Sequence, residues 1–163
     1  MLSRLRTFRT QLALVALGAF GVRVWAVLSW GQKLDPAGDQ LFYTAQAQAL
    51  GRGQGFVYLN SYGERVATAV HPPLHSAYLA LIRIIPFDGS NYTPYRLWCC
   101  VLGTGAVVLV GLAARRVAGP RAGIIAALLA AVTPMLWIND GMLLSEALYV
   151  PTCLLYTSPS PRD

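Results

Sequence analysis

Residues 97–138 read LWCCVLGTGAVVLVGLAA, then RRVAGPR, then AGIIAALLAAVTPMLWI: two apolar runs, 97–114 and 122–138, joined by a short basic turn. At about 1.5 Å per residue each run is the right order of length for a hydrocarbon core of roughly 30 Å. The turn between them holds Arg115, Arg116, Gly119, Pro120 and Arg121. Two apolar helices joined so briefly must run antiparallel, so the fold is expected to be an all-helical membrane bundle built around this hairpin.

Upstream, residues 11–30 form another apolar run, preceded by Arg4, Arg6 and Arg9 and containing Trp25 and Trp30. An arginine-rich start also suits a signal peptide, but no small-x-small cleavage site follows. The two tryptophans are placed as interfacial anchors, so a retained first span is expected. Lys and Arg flanking the runs assign the N-terminus and the 115–121 turn to the cytoplasm. The segment 31–96 and the residues after 138 then face outward, which puts Asp39, Asp140 and Glu146 on one side of the membrane.

Composition agrees with this class. The chain has 163 residues, 55% of them hydrophobic and 12% charged, a balance a soluble domain of this size would struggle to hide from water. The net charge of +6 sits beside the apolar runs and acts as a topology signal. It is not interleaved with an exposed polar face, which excludes a nucleic-acid partner. Cys99, Cys100 and Cys153 are too few and too deep in apolar sequence for a disulfide framework or a zinc site, and packing is their expected role.

The outer loop, residues 31–96, is too long for a bare connector. Residues 40–50 alternate apolar and polar positions at helical spacing, with Leu41, Phe42, Ala45, Ala49 and Leu50 available for a buried stripe, Asp39 as a cap and Gly51 as the stop. Gly51, Gly53 and Gly55 open a turn, residues 56–59 are extended, and Tyr62-Gly63-Glu64 turns again. Pro73 starts a further helix through Ile85, ended by Pro86. Both short helices are suited to lie amphipathically at the interface. After Asp140 the run 142–149 reads as the start of a fourth span, and residues 154–163, ending TSPSPRD, read as a non-native tail resembling adapter read-through. Residues 1–153 are therefore expected to be the N-terminal part of a larger protein, inactive alone.

Taken in order, the chain shows a first span, an outward Gly38-Asp39-Gln40 with Tyr43, a Gly-rich stop, a His71-Pro72-Pro73-Leu74 turn, a basic cytoplasmic turn, and an outward Asn139-Asp140 with Ser145-Glu146. From about Leu12 to Tyr149 this order resembles the GT-C membrane glycosyltransferases, more narrowly the protein O-mannosyltransferase and lipid A aminoarabinose transferase group. The resemblance implies a multi-pass enzyme of the plasma (inner) membrane, with its N-terminus in the cytoplasm and its active site on the outer face. It implies transfer of a sugar, with inversion, from a polyprenyl-phosphate donor to the hydroxyl of a lipid, glycan or protein acceptor. No cofactor is assigned beyond a possible divalent metal, for which no ligands are named; the lipid-linked sugar is a substrate.

Asp39 matches the group's first-loop catalytic acid, usually followed by another acid or a small polar residue where this chain has Gln40. It is the expected general base, a role compatible with capping the next helix. Asp140 and Glu146 fall where the group places a second acidic site that shapes the acceptor pocket or holds a metal, and both are expected substrate contacts. His71 is expected to touch phosphate or sugar. His75, four residues on, is read as surface, because Pro72 and Pro73 spoil a two-histidine metal face. Tyr43 would share a helix face with Asp39 and position it or a sugar ring. Arg23, an arginine inside the first span, either snorkels to the headgroups or partners the donor phosphate or a buried acid. Arg96 reads as an interfacial stop, and Gly51–Gly55 as a turn, since it lacks the Lys and Ser/Thr of a phosphate loop.

Two other classes share these features. A secondary transporter would account for Arg23 but not for the long outer loop. A non-catalytic membrane assembly protein would use the loop to bind a partner.

Overall fold

The computed structural model describes residues 2–31, 37–59, 62–68, 70–84 and 91–156. Six helices carry the fold: α1 (Leu2–Ser29), α2 (Asp39–Gly51), α3 (Pro73–Ala80), α4 (Thr93–Val132), α5 (Pro134–Gly141) and α6 (Glu146–Tyr156). A two-stranded antiparallel ribbon, β1 (Val57–Leu59) with β2 (Arg65–Ala67), lies between α2 and α3, with Tyr58 opposite Val66. A 3₁₀ turn, Leu81–Ile84, follows α3, so the helix expected through Ile85 stops earlier; Ile85 and Pro86 lie outside the described residues.

Two helices are long and apolar enough to cross a membrane, Thr7–Ser29 within α1 and Thr93–Val132. The second is the hairpin of the sequence reading. A straight helix of 40 residues would span about 60 Å, twice a hydrocarbon core. Instead it breaks at Gly119, whose φ of 86° and ψ of 179° suit glycine alone, and restarts at Pro120, where proline fits a first helical turn. The chain then doubles back. A Cβ on Gly111 would stand 3.1 Å from the Ala127 Cβ, and one on Gly123 would stand 2.7 Å from the Gly111 carbonyl oxygen. Small residues let these backbones approach where a larger side chain would not fit.

Contacts of α1 fix its direction against both arms of the hairpin. Leu12 meets Gly111, Phe8 meets Gly123, and Arg96 lies 3.4 Å from where a Gly31 Cβ would stand. Helix α1 therefore runs antiparallel to residues 93–118 and parallel to the returning arm. The Arg115 guanidinium lies 4.4 Å over the Phe8 ring, so the start of α1 and the basic turn share one end of the bundle. Phe8, Leu12, Val107 and Ala127 form the core at that end; Tyr43, Leu79, Cys99 and Leu143 form a second core at the other.

Three expectations need correction. The run 122–138 is not one helix, because Thr133 is extended (φ −68°, ψ 115°), as the residue before a proline prefers, and α5 restarts at Pro134. The run from 142 turns at Leu143, whose φ is 54°, before α6 begins at Glu146. Helix α6 ends at Tyr156, and residues 157–163, most of the stretch read as a tail, lie outside the described residues. In α2 the buried stripe is Phe42, Tyr43, Ala47 and Ala49, while Leu41 and Ala45 face out, because the helix packs against α3 through the 42/43 side.

Candidate functional site at the end of the bundle remote from the arginine turn

Asp39 opens α2, with Gly38 as the N-cap residue and no side-chain capping bond, so the expected capping role is not the one it plays. Its carboxylate is 60% exposed, and Oδ1 lies 3.7 Å from His71 Nε2. That separation is too long for a hydrogen bond but leaves the two groups facing one another. His71 is held by aromatic packing: its ring centroid is 4.3 Å from that of Phe42 and 5.3 Å from that of Tyr43. Tyr58 of the ribbon stacks on Phe42 at 5.1 Å, so the β-turn braces the same wall.

Tyr43 stands between two histidines. Its buried ring meets His71 on one side and the edge of His75 on the other, at 4.8 Å. The i, i+4 spacing of Asp39 and Tyr43 places both beside His71, as the shared helix face requires. His75 is buried, against the expectation of a surface position. A signal for this existed in the sequence: Leu79 lies one turn on, so His75 shares the face that α3 buries. His75 Nε2 is 3.1 Å from the Leu143 carbonyl oxygen, which reaches it because Leu143 adopts its positive φ while burying its side chain completely. A non-glycine residue in that region costs on the order of 1–3 kcal/mol, offset here by Leu143 filling the core.

Burial lowers the His75 pKa below its ordinary 6.5, outweighing the opposing pull of the Leu143 hydrogen bond and of Glu146. The folded state therefore resists protonation that the unfolded chain accepts. Stability is full above pH 6.5 and falls as pH drops from there toward the lowered folded value. We expect the thermal midpoint of the detergent-solubilised protein to fall between pH 7.5 and pH 5.5. A His75→Asn variant is expected to show a smaller fall over the same interval.

Arg23 and Asp140 form a separate constellation. Asp140 is not an outward loop acid: α5 continues to Gly141, and its carboxylate is fully buried between α1 and Gly103. Arg23 does not snorkel. Its Nε donates to Asp140 Oδ2 at 2.8 Å and its Nη1 to the Ala19 carbonyl at 3.2 Å. Of the two sharper readings of Arg23, partner for a buried acid is the one the geometry shows. A Cβ on Gly103 would overlap the carboxylate, so glycine there makes room for the pair. Arg96 is buried too, not an exposed interfacial stop.

Glu146 heads α6, where an acid suits the helix N-terminus. It is exposed, its Oε2 is 3.5 Å from Ser145 Oγ, and it borders a groove of about 330 Å³ between α3 and α6 that His75 also lines. Thus Asp39, His71 and Tyr43 come together, Glu146 shares a groove with His75, and Arg23 pairs with Asp140, which lines a second, smaller cavity together with Glu146. Among the described residues no three His, Cys, Asp or Glu side chains converge as metal ligands. The chain matches no family model, no curated protein and no solved structure.

Proposed function

We propose that the chain is the membrane-embedded part of a glycosyltransferase of the GT-C type, with Asp39 as general base at the outer face of the plasma membrane. The single observation that carries this is the placement of Asp39: a solvent-reached carboxylate facing His71, at the end of the bundle opposite Arg115, Arg116 and Arg121. Bilayer insertion is supported by α1, which leaves Leu14, Leu17 and Trp25 each at least 60% exposed. A helix apolar on its outward side needs lipid as its solvent. In this reading α1 and the two arms of the hairpin cross the bilayer, the third crossing being completed by α5.

An acceptor hydroxyl passes its proton to Asp39 as its oxygen attacks the anomeric carbon, and the polyprenyl phosphate departs as an anion. His71, when protonated, offers a positive partner for that anion. Tyr43 positions the His71 ring. The arrangement asks nothing of Arg23 and Asp140 beyond holding α1 to α5.

The orientation has its own test. In a Cys153→Ser background, Tyr62→Cys at the ribbon end is expected to react with an impermeant maleimide on intact cells. Val117→Cys at the basic turn is expected to react only after permeabilisation. Both positions are more than 85% exposed, so access is decided by membrane side alone. The chemistry is tested by sugar transfer from a polyprenyl-phosphate donor in a longer protein containing this sequence, with Asp39→Asn as the diagnostic variant.

The Arg23–Asp140 pair favours one second reading, a fragment of a secondary transporter, since such proteins use buried ion pairs along a substrate path. Loss of solute uptake, with sugar transfer absent in the unmodified protein, would establish it.

A further inference from the structure

A pocket of about 150 Å³ lies where the C-terminus of α2 meets the ribbon, lined by Gln48, Arg52, Gln54, Tyr58 and Arg65. Two features of the chain bring its arginines to one place. Gly53, at φ 73°, reverses the backbone after α2, and β1 packs back against that helix. Arg65 stands opposite Leu59, which puts it on the ribbon face of Val57, another wall of the pocket.

Charge selects the ligand. No aspartate or glutamate lines the pocket among the described residues. The side chains of Gln48, Arg52, Gln54 and Arg65 form no hydrogen bond or ion pair there, again among the described residues. The backbone cannot serve in their place, because the N–H groups of Arg52, Gly53 and Gln54 already close α2 on the carbonyls of Gln48, Ala49 and Leu50. Those carbonyls end a helix dipole equivalent to about half a negative charge, which two full positive charges outweigh. Complementing the helix end accounts for Arg52 but not for Arg65, which comes from the ribbon.

Two guanidiniums match a dianion, and their planar forks fit phosphate oxygens in bidentate pairs. A phosphate monoester carries about −1.5 to −2 charges at pH 7, more than the single charge of a carboxylate. The pocket has about half the volume of the smallest ordinary small-molecule sites, roughly 300 Å³, so it takes the phosphate group and leaves the rest of its bearer outside.

The pocket is remote from Asp39. Helix α2 has 13 residues, so Asp39 at its head and Arg52 just past its end are about 20 Å apart at about 1.5 Å per residue. A phosphate departing from a sugar at Asp39 is out of reach of Arg52. On its other side Arg52 acts through its charge on Tyr95, so the pocket lies near the head of α4.

We propose that this pocket binds a phosphate monoester group, borne by a lipid headgroup or by a soluble molecule, at a site separate from the reacting centre. The proposal stands without the glycosyltransferase reading.

The test uses the full chain in phosphatidylcholine nanodiscs, with phenylglyoxal modification of each arginine followed by mass spectrometry. Methyl phosphate is the soluble probe, and phosphatidic acid added to the nanodiscs is the lipid-borne one. Arg52 and Arg65 are both exposed, so both react in the absence of a probe. With probe at about ten times its Kd, modification of the two is expected to slow in parallel by about tenfold, while acetate at equal ionic strength slows neither. Slowing by phosphatidic acid makes a lipid headgroup the bearer; slowing by methyl phosphate alone makes it a soluble molecule. Arg52→Gln is expected to abolish the slowing at Arg65, and Arg65→Gln the slowing at Arg52. Asp39→Asn is expected to leave both slowed as before.

No slowing by either phosphate would overturn the proposal, as would acetate acting as well as methyl phosphate. Equal slowing at Arg116 and Arg121 of the basic turn would reduce the effect to general charge screening. Slowing at Arg65 that survives Arg52→Gln would mean that the two do not share an anion, and slowing lost in Asp39→Asn would merge the pocket with the reacting centre.

Discussion

Asp140→Ala is expected to destabilise the bundle by about 3–5 kcal/mol, read as unfolding free energy in mixed micelles titrated with SDS. The cause is what the substitution leaves behind. Arg23 is 1% exposed, and without Asp140 its Nε has no acceptor, leaving the charge with only the Ala19 carbonyl. An isolated buried charge is far more costly than a buried pair is helpful, because the desolvation cost persists when the Coulomb attraction is lost. Removing both charges should therefore reverse most of the damage: Arg23→Leu with Asp140→Leu is expected to lie much closer to the unaltered protein than either single change. A single Asp140→Ala change within about 0.5 kcal/mol of the parent, the range of an indifferent surface substitution, would mean that the pair does not hold α1 to α5.

That pair also shows where sequence reading reaches its limit. Arg23 sits in an apolar run, so its need for a partner is legible, but the partner lies 117 residues away. Nothing local identifies Asp140, which reads as a loop acid because the apolar run before it reads as a single span. The proline rule at Thr133–Pro134 was available to split that run, and splitting it turns Asp140 into a helical residue facing α1. The hairpin turn is legible for the opposite reason: Gly119, Pro120 and three arginines encode it within seven residues. The ribbon is half legible, with residues 56–59 read as extended and the Tyr62-Gly63-Glu64 turn placed, but pairing with Arg65–Ala67 comes with the packing of α2 against β1.

The candidate site divides in the same way. Asp39, Tyr43 and His71 are brought together by local helix spacing and one chain reversal, both visible in sequence. Glu146 shares a groove with His75 between α3 and α6, and His75 reaches them only through the backbone twist at Leu143. A residue whose surroundings come from four separate elements has no sequence signature beyond the burial periodicity it shares with Leu79.

Asp39→Asn is expected to slow sugar transfer by about 10²–10⁴-fold, or about 2.7–5.5 kcal/mol of transition-state stabilisation, in the longer protein containing this sequence. Asparagine has the size of aspartate and still accepts a hydrogen bond, but it cannot take the proton of the attacking hydroxyl. The side chain is 60% exposed and caps nothing, so folding should be untouched and the thermal midpoint unchanged. The loss should fall on kcat and kcat/KM alike, with donor binding retained, because the missing interaction exists only as the proton moves. His71 sharpens the diagnosis, since its ring stays packed on Phe42 and Tyr43 whatever stands at residue 39. A fall in donor affinity instead of rate would make Asp39 a binding group, and unchanged transfer would remove it from the chemistry altogether.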